Sequence, residues 1–303
     1  GWKCLILKPI LREYNIKIYE LTHFRITNTL KGKKIAFQGE HGAYSEIAAT
    51  KFFPDSDLIP MKLFQDIFDA LRNDSIDCAV VPIENSIEGS VNEIYDLLLD
   101  TDKKISGEIF LRINHCLIAL PNSTTNTLMK VLSHPQALAQ CKNYIKKKNL
   151  DAIPTYDTAG SVRLIKEKKI LDTAAIASKK AAEFYDMKIL DQNIEDRRNN
   201  FTRFLVLSNQ KTTPTRTDRT SMIFGLEHTP GSLYSVMQEF NNNKINLTKI
   251  ESRPTKEKPW EYNFYVDFEG HIEEDNVKTT LANIERKCAF IKILGSYQRG
   301  TIN

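Results

Sequence analysis

The chain lacks the features by which several classes of protein are recognised from sequence. Its cysteines number only five, they lie far apart, and no two of them form a C-x-x-C pair. Zinc sites and dithiol redox centres depend on such clusters, so we predict no metal site and no cofactor. Scattered cysteines of this kind favour the reducing environment of the cytoplasm.

A charge excess of one sign and long apolar runs are lacking as well. The net charge is +4, from 42 basic and 38 acidic residues spread along the chain, which does not predict binding to nucleic acid. No apolar stretch is long enough for a membrane span. Lys8 and Pro9 interrupt the first short apolar run, so it does not have the pattern of a signal peptide. We therefore predict a cytoplasmic protein with neither nucleic acid nor membrane as a partner.

The pattern that is present indicates an α/β architecture. A chain of 303 residues is expected to form two domains. From residue 34 onward, short apolar strands alternate with helical segments, an order that predicts an α/β layer with a mainly parallel sheet. A second block of the same kind spans about 115–180, so residues 34–208 are predicted to form two lobes around a cleft. Residues 1–33 are an N-terminal extension to which the sequence assigns no role.

A different pattern follows the α/β region. Residues 209–218 are polar and aperiodic, which is typical of a linker. Residues 219–296 have the order βαββαβ of a ferredoxin-like unit, and residues 297–303 are a short tail. The sequence therefore predicts a small C-terminal domain beside a larger bilobal region.

Three loops that lead from a predicted strand into a helix are rich in hydroxyl and amide side chains. They include residues 84–86, 133–140 and 155–161. Free N–H groups at helix N-termini bind anions, although the same residue types are also ordinary helix caps. Together with Thr202 and Arg203 at the start of an apolar strand, these loops predict a metal-free cleft for a small molecule with several negative charges.

The same segments resemble the prephenate dehydratase family. The matching motifs, in the family's order, are Ala36-Phe37-Gln38-Gly39, Gly42-Ala43-Tyr44-Ser45, Pro82-Ile83-Glu84-Asn85-Ser86, Ser133-His134-Pro135-Gln136 and Asn200-Phe201-Thr202-Arg203-Phe204. The C-terminal unit resembles the ACT regulatory domain of these enzymes. This resemblance implies a catalytic region similar to type II periplasmic binding proteins and the conversion of prephenate to phenylpyruvate, water and carbon dioxide.

The resemblance also implies roles for individual residues. Thr202 is the implied catalytic hydroxyl, and Glu84 is our candidate for the acid behind it because a threonine hydroxyl alone is a weak acid. Arg203 has a guanidinium suited to a carboxylate, but strand alternation directs it away from Thr202, so a structural role is equally open. The implied substrate-binding residues are Asn85, Ser86, Ser133, Gln136, Gln140, Thr158, Arg203 and Phe204.

The ACT resemblance implies regulation by phenylalanine. A glycine at the start of a helix permits close approach of a carboxylate to the helix N-terminus. The implied allosteric residues are Gly231, Ser232, Leu233, Tyr234, Glu251, Ser252, Arg253 and Pro254. Such domains pair through their sheets, so a homodimer or homotetramer is expected.

Two other functions stay open at this point. Arogenate dehydratase performs the same elimination on a substrate that carries an ammonium in place of a keto group. A non-catalytic sensor of aromatic amino acids would bind phenylalanine and leave prephenate unchanged, although Thr202 and its polar neighbours argue against that alternative. Residues 1–33 are too short for the chorismate mutase domain that some relatives carry, so we expect no second activity in this chain.

Overall fold

In the computed structural model, residues 32–255 and 261–302 are described. The predicted N-terminal extension, 1–33, falls almost entirely outside them. The described chain forms two α/β lobes and a third, C-terminal unit. The predicted bilobal region with a ferredoxin-like domain is therefore confirmed.

The first lobe is a six-stranded sheet with the order β2-β1-β3-β11-β5, in which β4 pairs with β3. Its strands are β1 (Lys34–Gln38), β2 (Asp57–Met61), β3 (Cys78–Asn85), β4 (Gly89–Ser90), β5 (Lys104–Arg112) and β11 (Phe201–Ser208). Its helices are α1 (Tyr44–Phe52), α2 (Phe64–Arg72) and α3 (Asn92–Asp100). Strands β1 and β3 are buried on both faces, as expected for strands covered by helices on either side.

The second lobe is a five-stranded sheet with the order β10-β6-β9-β7-β8. Its strands are β6 (Cys116–Ala119), β7 (Lys130–Ser133), β8 (Asp151–Pro154), β9 (Thr173–Ala177) and β10 (Lys188–Gln192). Its helices are α4 (Pro135–Gln140), α5 (Lys142–Lys147), α6 (Thr158–Lys168) and α7 (Lys179–Phe184). Side-chain caps begin two of these helices, because Asp157 accepts from the N–H of Gly160 and Ser178 from that of Ala181.

Both sheets are mixed, whereas the sequence pattern predicts mainly parallel sheets. The chain crosses from the first lobe to the second after β5 and returns after β10. On its return, β11 enters the first sheet between β3 and β5 and is antiparallel to both. In the second lobe, β6 likewise pairs antiparallel with β9 and β10. The antiparallel pairs thus follow from the two crossings, which local periodicity does not reveal.

The lobes touch closely near the start of α1. Gly42 has a φ of +91° and its backbone faces helix α7, so that a Cβ at this position would lie 2.5 Å from Cα of Ala181. The carbonyl of Gly42 also accepts a hydrogen bond from Ser178 Oγ at 2.5 Å. Glycine is required here both for the backbone conformation and for the close approach.

The C-terminal unit has the predicted βαββαβ order and a four-stranded antiparallel sheet, β13-β14-β12-β15. Its elements are β12 (Asp218–Gly225), α8 (Ser232–Asn242), β13 (Leu247–Pro254), β14 (Tyr262–Glu269), α9 (Asp275–Glu285) and β15 (Phe290–Gln298). Strand β12 begins at the last residue of the predicted linker, and β15 extends two residues into the predicted tail.

The C-terminal unit packs on the first lobe. One continuous apolar cluster contains Tyr265, Leu294 and Tyr297 from this unit together with Ile83 and Leu205 from strands of the first lobe. Lys104 Nζ of β5 also donates to the carbonyl of Ile293 at 2.6 Å. The central strands β3 and β11 are therefore covered on one face by the C-terminal unit.

Candidate active site

A cavity of about 390 Å³ lies between the two lobes. Its lining combines polar and apolar side chains but holds no lysine or arginine among the described residues. The side chains of interest that line it are Gln38, Tyr44, Asn85, His115, His134, Gln136, Gln140, Tyr156, Asp157, Thr158, Thr202 and Phe204. Helices α1, α4 and α6 all begin at this cavity, because their first-turn residues Tyr44, Gln136 and Thr158 line it.

Strands β3 and β11 bring Thr202 and Asn85 together on the cleft side. The two residues are register partners across the antiparallel pair, and Asn85 Nδ2 lies 2.9 Å from Thr202 Oγ1. Asn85 Oδ1 accepts hydrogen bonds from the backbone N–H groups of Ile87 and Glu88, at 2.9 and 3.0 Å. The amide orientation of Asn85 is thereby fixed, so Thr202 Oγ1 accepts from Asn85 and its own proton is free for a group in the cleft.

The polar chain continues from Asn85 into the second lobe. Asn85 Nδ2 also donates to Asn200 Oδ1 at 2.8 Å, and Asn200 Nδ2 donates to Gln140 Oε1 at 2.8 Å. His115 Nε2 lies 2.9 Å from the same oxygen of Gln140. His115 Nδ1 lies 2.9 Å from the hydroxyl of Tyr44. Six side chains from both lobes thus form one hydrogen-bonded row along the cleft.

His115 is held neutral within this row. It is 2% exposed, and burial lowers the pKa of its imidazole, while the hydrogen bond to Gln140 and the charge of Glu195 oppose the shift. Burial also raises the pKa of Tyr44 well above its ordinary value. Glu195 Oε2 accepts from the backbone N–H of His115 at 2.9 Å and fixes its position. Neither ring of this pair is therefore a strong acid or base at neutral pH.

The helix N-termini supply the positive potential that the cleft side chains lack. Asp157 caps α6, and His134 Nδ1 caps α4 by accepting from the N–H of Gln136 at 3.2 Å. Burial lowers the pKa of His134, which favours the neutral form needed for this role. The first turns of α1 and α6 lie at the cavity, and the N–H groups there that no cap uses are suited to carboxylates.

Six of the sequence-predicted residues line this cavity. They are Asn85, Gln136, Gln140, Thr158, Thr202 and Phe204. Phe204 follows Thr202 at strand spacing, so both side chains share the cleft face of β11. The amide of Asn85 is fully hydrogen-bonded within the protein, so it orients Thr202 instead of facing a ligand with free groups.

The predictions for Glu84 and Arg203 are corrected. These two residues are also register partners, but they lie on the opposite face of β3 and β11. Glu84 Oε1 pairs with Lys249 Nζ of the C-terminal unit at 2.8 Å. Arg203 is buried and pairs with Glu108 at 2.7 Å and Asp267 at 2.5 Å. Strand alternation directs both away from the cleft, so Glu84 is not an acid beside Thr202 and Arg203 does not reach a substrate there.

The hydroxyls of Ser86 and Ser133 are occupied by the backbone. Ser86 Oγ donates to the carbonyl of Asn199 at 3.1 Å and accepts from the N–H of Phe201 at 2.9 Å. Ser133 is fully buried and donates to the carbonyl of Ile176 at 2.6 Å. Both predictions of substrate binding are corrected to structural roles, because neither residue lines the cavity.

Six of the lining side chains listed above, and Asn200, which links Asn85 to Gln140, received no site role from the sequence. The six are Gln38, Tyr44, His115, His134, Tyr156 and Asp157. Gln38, Tyr44, His134 and Asn200 occur within the quoted family motifs, and Tyr156 and Asp157 lie in the predicted loop 155–161, so a signal was available for each. His115 is placed by the crossing between lobes, and no local pattern marks it.

The predicted allosteric residues fall into two separate places within one chain. Ser232 and Leu233 line a cavity of about 120 Å³ beside the loop 226–229. Gly231 precedes them with a φ of +85° at the N-cap of α8, a conformation that favours glycine. Tyr234 is 69% exposed.

The second predicted segment lies on the edge strand β13, away from that cavity. Glu251 Oε2 accepts from Ser90 Oγ at 2.8 Å, and Arg253 pairs with Asp96 at 3.4 Å. Both contacts join the C-terminal unit to the first lobe. The alternate residues Ser252 and Pro254 are exposed, so the two segments do not form one cavity within the described chain.

Comparisons with known proteins agree with this architecture. A family model described as prephenate dehydratase matches residues 35–212. The chain is 41% identical over 275 residues to arogenate dehydratase/prephenate dehydratase 2, chloroplastic, from Arabidopsis thaliana, which covers 87% of this chain and 72% of that protein. It is 40% identical over 272 residues to a bifunctional chorismate mutase/prephenate dehydratase from Aquifex aeolicus, covering 89% and 74%.

A solved structure gives the same result. Prephenate dehydratase from Arthrobacter aurescens in complex with L-Phe superposes with a TM-score of 0.82 at 29% identity, covering 88% of this chain and 90% of that one. The similarity extends over both lobes and the C-terminal unit, since it covers most of each chain.

Proposed function

Since the chain belongs to the prephenate dehydratase family, we propose that its cleft converts prephenate to phenylpyruvate as a step of phenylalanine biosynthesis. The chain is a lyase of that family, and its relatives are named for prephenate, arogenate or both. The choice of prephenate and the roles of the residues below are our proposal. The single observation that carries it is the Thr202 hydroxyl, held by Asn85 in a cleft whose described lining includes no lysine or arginine.

Substrate binding relies on helix N-termini. Prephenate carries two carboxylates, and the described part of the lining has no guanidinium or ammonium to pair with them. The N–H of Gln136 in α4 is already bonded to His134 Nδ1, which leaves the first turns of α1 and α6, whose residues Tyr44 and Thr158 line the same cavity. First-turn N–H groups together with the helix dipole bind carboxylates without a counter-ion. We assign the two carboxylates of the substrate to these helix starts.

Thr202 acts on the leaving group. Its oxygen accepts from Asn85 Nδ2, so the hydroxyl proton is directed to the departing oxygen of the substrate. The bond between the ring carboxylate and the ring breaks, its electron pair enters the ring, carbon dioxide leaves, and the C–O bond breaks with its electrons on oxygen. The departing oxygen takes a proton to leave as water. Donation by Thr202 stabilises this developing charge, and water resupplies its proton.

Prephenate and arogenate differ by a keto group against an ammonium. An ammonium buried without a counter-charge is costly. Asp157 is the one carboxylate in the described lining, and its Oδ1 already accepts from the N–H of Gly160 to cap α6. This occupation favours the keto substrate and makes Asp157 the residue on which arogenate use would depend.

Phenylalanine regulates the enzyme at the C-terminal unit in our proposal. The cavity beside Ser232 and Leu233 offers an apolar wall and a helix start, and the relative from Arthrobacter aurescens is described in complex with L-Phe. Strand β13 is an edge strand of the described sheet, with Ile250 49% exposed, which suits pairing with a second copy. We therefore propose a homodimer or homotetramer.

The cellular location of the reaction is the last part of the proposal. Within the described part of the chain no helix is long and apolar enough to cross a membrane. The cytoplasmic location predicted from the cysteines stays a proposal, and the Arabidopsis relative is named as chloroplastic.

The test compares the two substrates on the wild type and on Asp157→Asn, with and without phenylalanine. Asparagine also caps helices, so this variant removes the charge and keeps the cap. We expect prephenate to be favoured by about tenfold or more in kcat/KM, an effect of the unpaired ammonium, and phenylalanine to lower the rate. Faster turnover of arogenate, lost selectively in Asp157→Asn, would instead identify an arogenate dehydratase. No turnover of either substrate would leave the sensor as the function.

A further inference from the structure

We propose that Asn200 is a positioning residue that sets the Thr202 hydroxyl through Asn85 and the Gln140 amide at the same time. The inference rests on the proposed function, because it concerns the same cleft. Asn200 is 0% exposed and is not among the residues that line the cleft, so we place its effect on the reaction in the side chains of Asn85 and Gln140 that it holds.

The direction of every hydrogen bond in the row follows from one fixed end. The N–H groups of Ile87 and Glu88 determine that Oδ1 of Asn85 is an acceptor and that its Nδ2 is a donor. Nδ2 has two protons, and we assign them to its two nearest acceptors, Asn200 Oδ1 at 2.8 Å and Thr202 Oγ1 at 2.9 Å, with the carbonyl of Phe201 further away at 3.2 Å. The oxygen of Asn200 is thereby assigned, which leaves its Nδ2 to donate to Gln140.

The amide nitrogen of Asn200 fixes the orientation of the Gln140 side chain. Because Asn200 Nδ2 donates, the atom of Gln140 that it contacts is the carbonyl oxygen Oε1. The same oxygen lies 2.9 Å from His115 Nε2, so we assign the proton of the neutral imidazole to Nε2. Nδ1 then accepts from the hydroxyl of Tyr44, which also lies 2.7 Å from the carbonyl of Asn114. Two donors hold Oε1, so the amide nitrogen is the donor that Gln140, which lines the cleft, can offer to an anionic substrate.

The backbone of Asn200 lies where the lobes are joined. Its carbonyl accepts from the N–H of Ile113 at 2.8 Å, and so it ties together the two segments by which the chain passes between lobes. His115 in the outgoing segment likewise accepts, through its carbonyl, from the N–H of Ile194 in the returning one. A side chain anchored at this junction can hold Thr202 of one lobe and Gln140 of the other in fixed relation, which is what a reaction dependent on orientation requires.

Because Asn200 bonds to Asn85 through its oxygen and to Gln140 through its nitrogen, we expect variants that affect one bond to change kcat and KM differently. Asn200→Ala removes the hydrogen bonds to both Asn85 and Gln140. The rate constant kcat should therefore fall by about 10²-fold, the cost of misplacing a reacting group, and KM should rise. Asn200→Asp keeps an oxygen for Asn85 but loses the donor to Gln140. We expect this variant to recover most of kcat while KM stays high. His115→Phe removes the ring nitrogens that contact Gln140 and Tyr44 but leaves Asn85 and Thr202 joined, so it should raise KM and leave kcat within about threefold.

Ser86→Ala is the matched control, because Ser86 binds the backbone of residues 199 and 201 without reaching Thr202 or Gln140. Thermal unfolding of all variants reports any general loss of structure. The inference fails if Ser86→Ala lowers kcat as much as Asn200→Ala, or if Asn200→Asp and His115→Phe show no separation of kcat from KM. Absence of turnover in the wild type with either substrate would overturn the proposed function itself, and the inference with it.

Discussion

The two faces of the strand pair β3 and β11 differ in how they handle charge. On the cleft face, Thr202 and Asn85 are joined by a neutral hydrogen bond at 2.9 Å. One residue along each strand, Arg203 and Glu84 lie on the other face and both form ion pairs with the C-terminal unit. Strand alternation thus separates a neutral catalytic surface from a charged structural one within a single pair of strands.

On the other face, the buried charges are paired with one another. Glu108, whose side chain is 0% exposed, accepts from Arg203 Nε at 2.7 Å and from Arg219 Nη1 at 2.6 Å. The two terminal nitrogens of Arg203 donate to Asp267 at 2.5 Å and to the hydroxyl of Tyr297 at 2.9 Å. A buried cluster of this kind tolerates the loss of a member poorly. The difference between the faces is that one can accept the charge of a substrate, whereas the other is already neutralised.

The comparison is sharpened most by removing the hydroxyl on the cleft face. Thr202→Val keeps the shape of the side chain and removes the donor, so kcat should fall by about 10²–10⁴-fold. Phenylpyruvate formation, followed by its absorbance in alkali, measures the loss. Thr202→Ser is the control, since it keeps the hydroxyl and should retain most of the activity. Equal loss in both variants would mean that shape, not proton donation, matters at this position.

The charged face is tested by Arg203→Leu. The change leaves Glu108 and Asp267 with one cation fewer in a buried site, so we expect a loss of about 3–5 kcal/mol in the free energy of unfolding, measured by urea denaturation. Arg299→Leu is the matched control, because Arg299 pairs with Glu269 where both side chains are about two-fifths exposed. Such a pair contributes about 0–1 kcal/mol.

The outcome also distinguishes the two faces functionally. Activity is measured without denaturant and at a temperature well below the unfolding transition, where Arg203→Leu is still folded. Under these conditions the variant should show little change in KM, because the guanidinium does not line the cleft. A large rise in KM with no loss of stability would restore Arg203 as a substrate ligand and contradict the comparison.

Much of this arrangement could be predicted from the sequence, and the rest depends on contacts between distant segments. The strand and helix order, the bilobal region and the βαββαβ unit follow from local periodicity. The cleft positions of Thr202 and Phe204 follow from alternation along one strand. The same alternation predicts that Arg203 points away from the cleft. The structure agrees with this prediction and not with the assignment of Arg203 to substrate binding.

The failures share one physical cause. Ser133 and Ser86 were chosen for their hydroxyls, but which acceptor a hydroxyl finds depends on strands and loops far away in the chain, such as Ile176 and Asn199. Glu84 was chosen for its acidity, and its partner Lys249 lies 165 residues further along the chain. His115 enters the site because the chain crosses between the lobes there. None of these contacts leaves a local pattern.

A smaller effect of the neutral cleft concerns pH. The pKa of His134 is lowered by burial, so the folded state favours the neutral ring below the ordinary value of about 6.5. Its contribution to stability is present above that value and is lost as the pH falls through the lowered pKa of the folded state. His134→Asn keeps an acceptor for the cap of α4 and cannot titrate. We expect its free energy of unfolding to decline less than that of the wild type between pH 7 and about pH 5.

The smallest effect is expected for Glu84, our candidate from the sequence for the acid behind Thr202. Its side chain is 36% exposed and pairs with Lys249 on the charged face, so Glu84→Gln should cost at most about 1 kcal/mol of stability. Because no atom of Glu84 lines the cleft, the pH profile of kcat should be unchanged. Loss of an acidic limb in that profile would show that Glu84 supplies the proton, and would mean that strand alternation does not separate the two faces in the working enzyme.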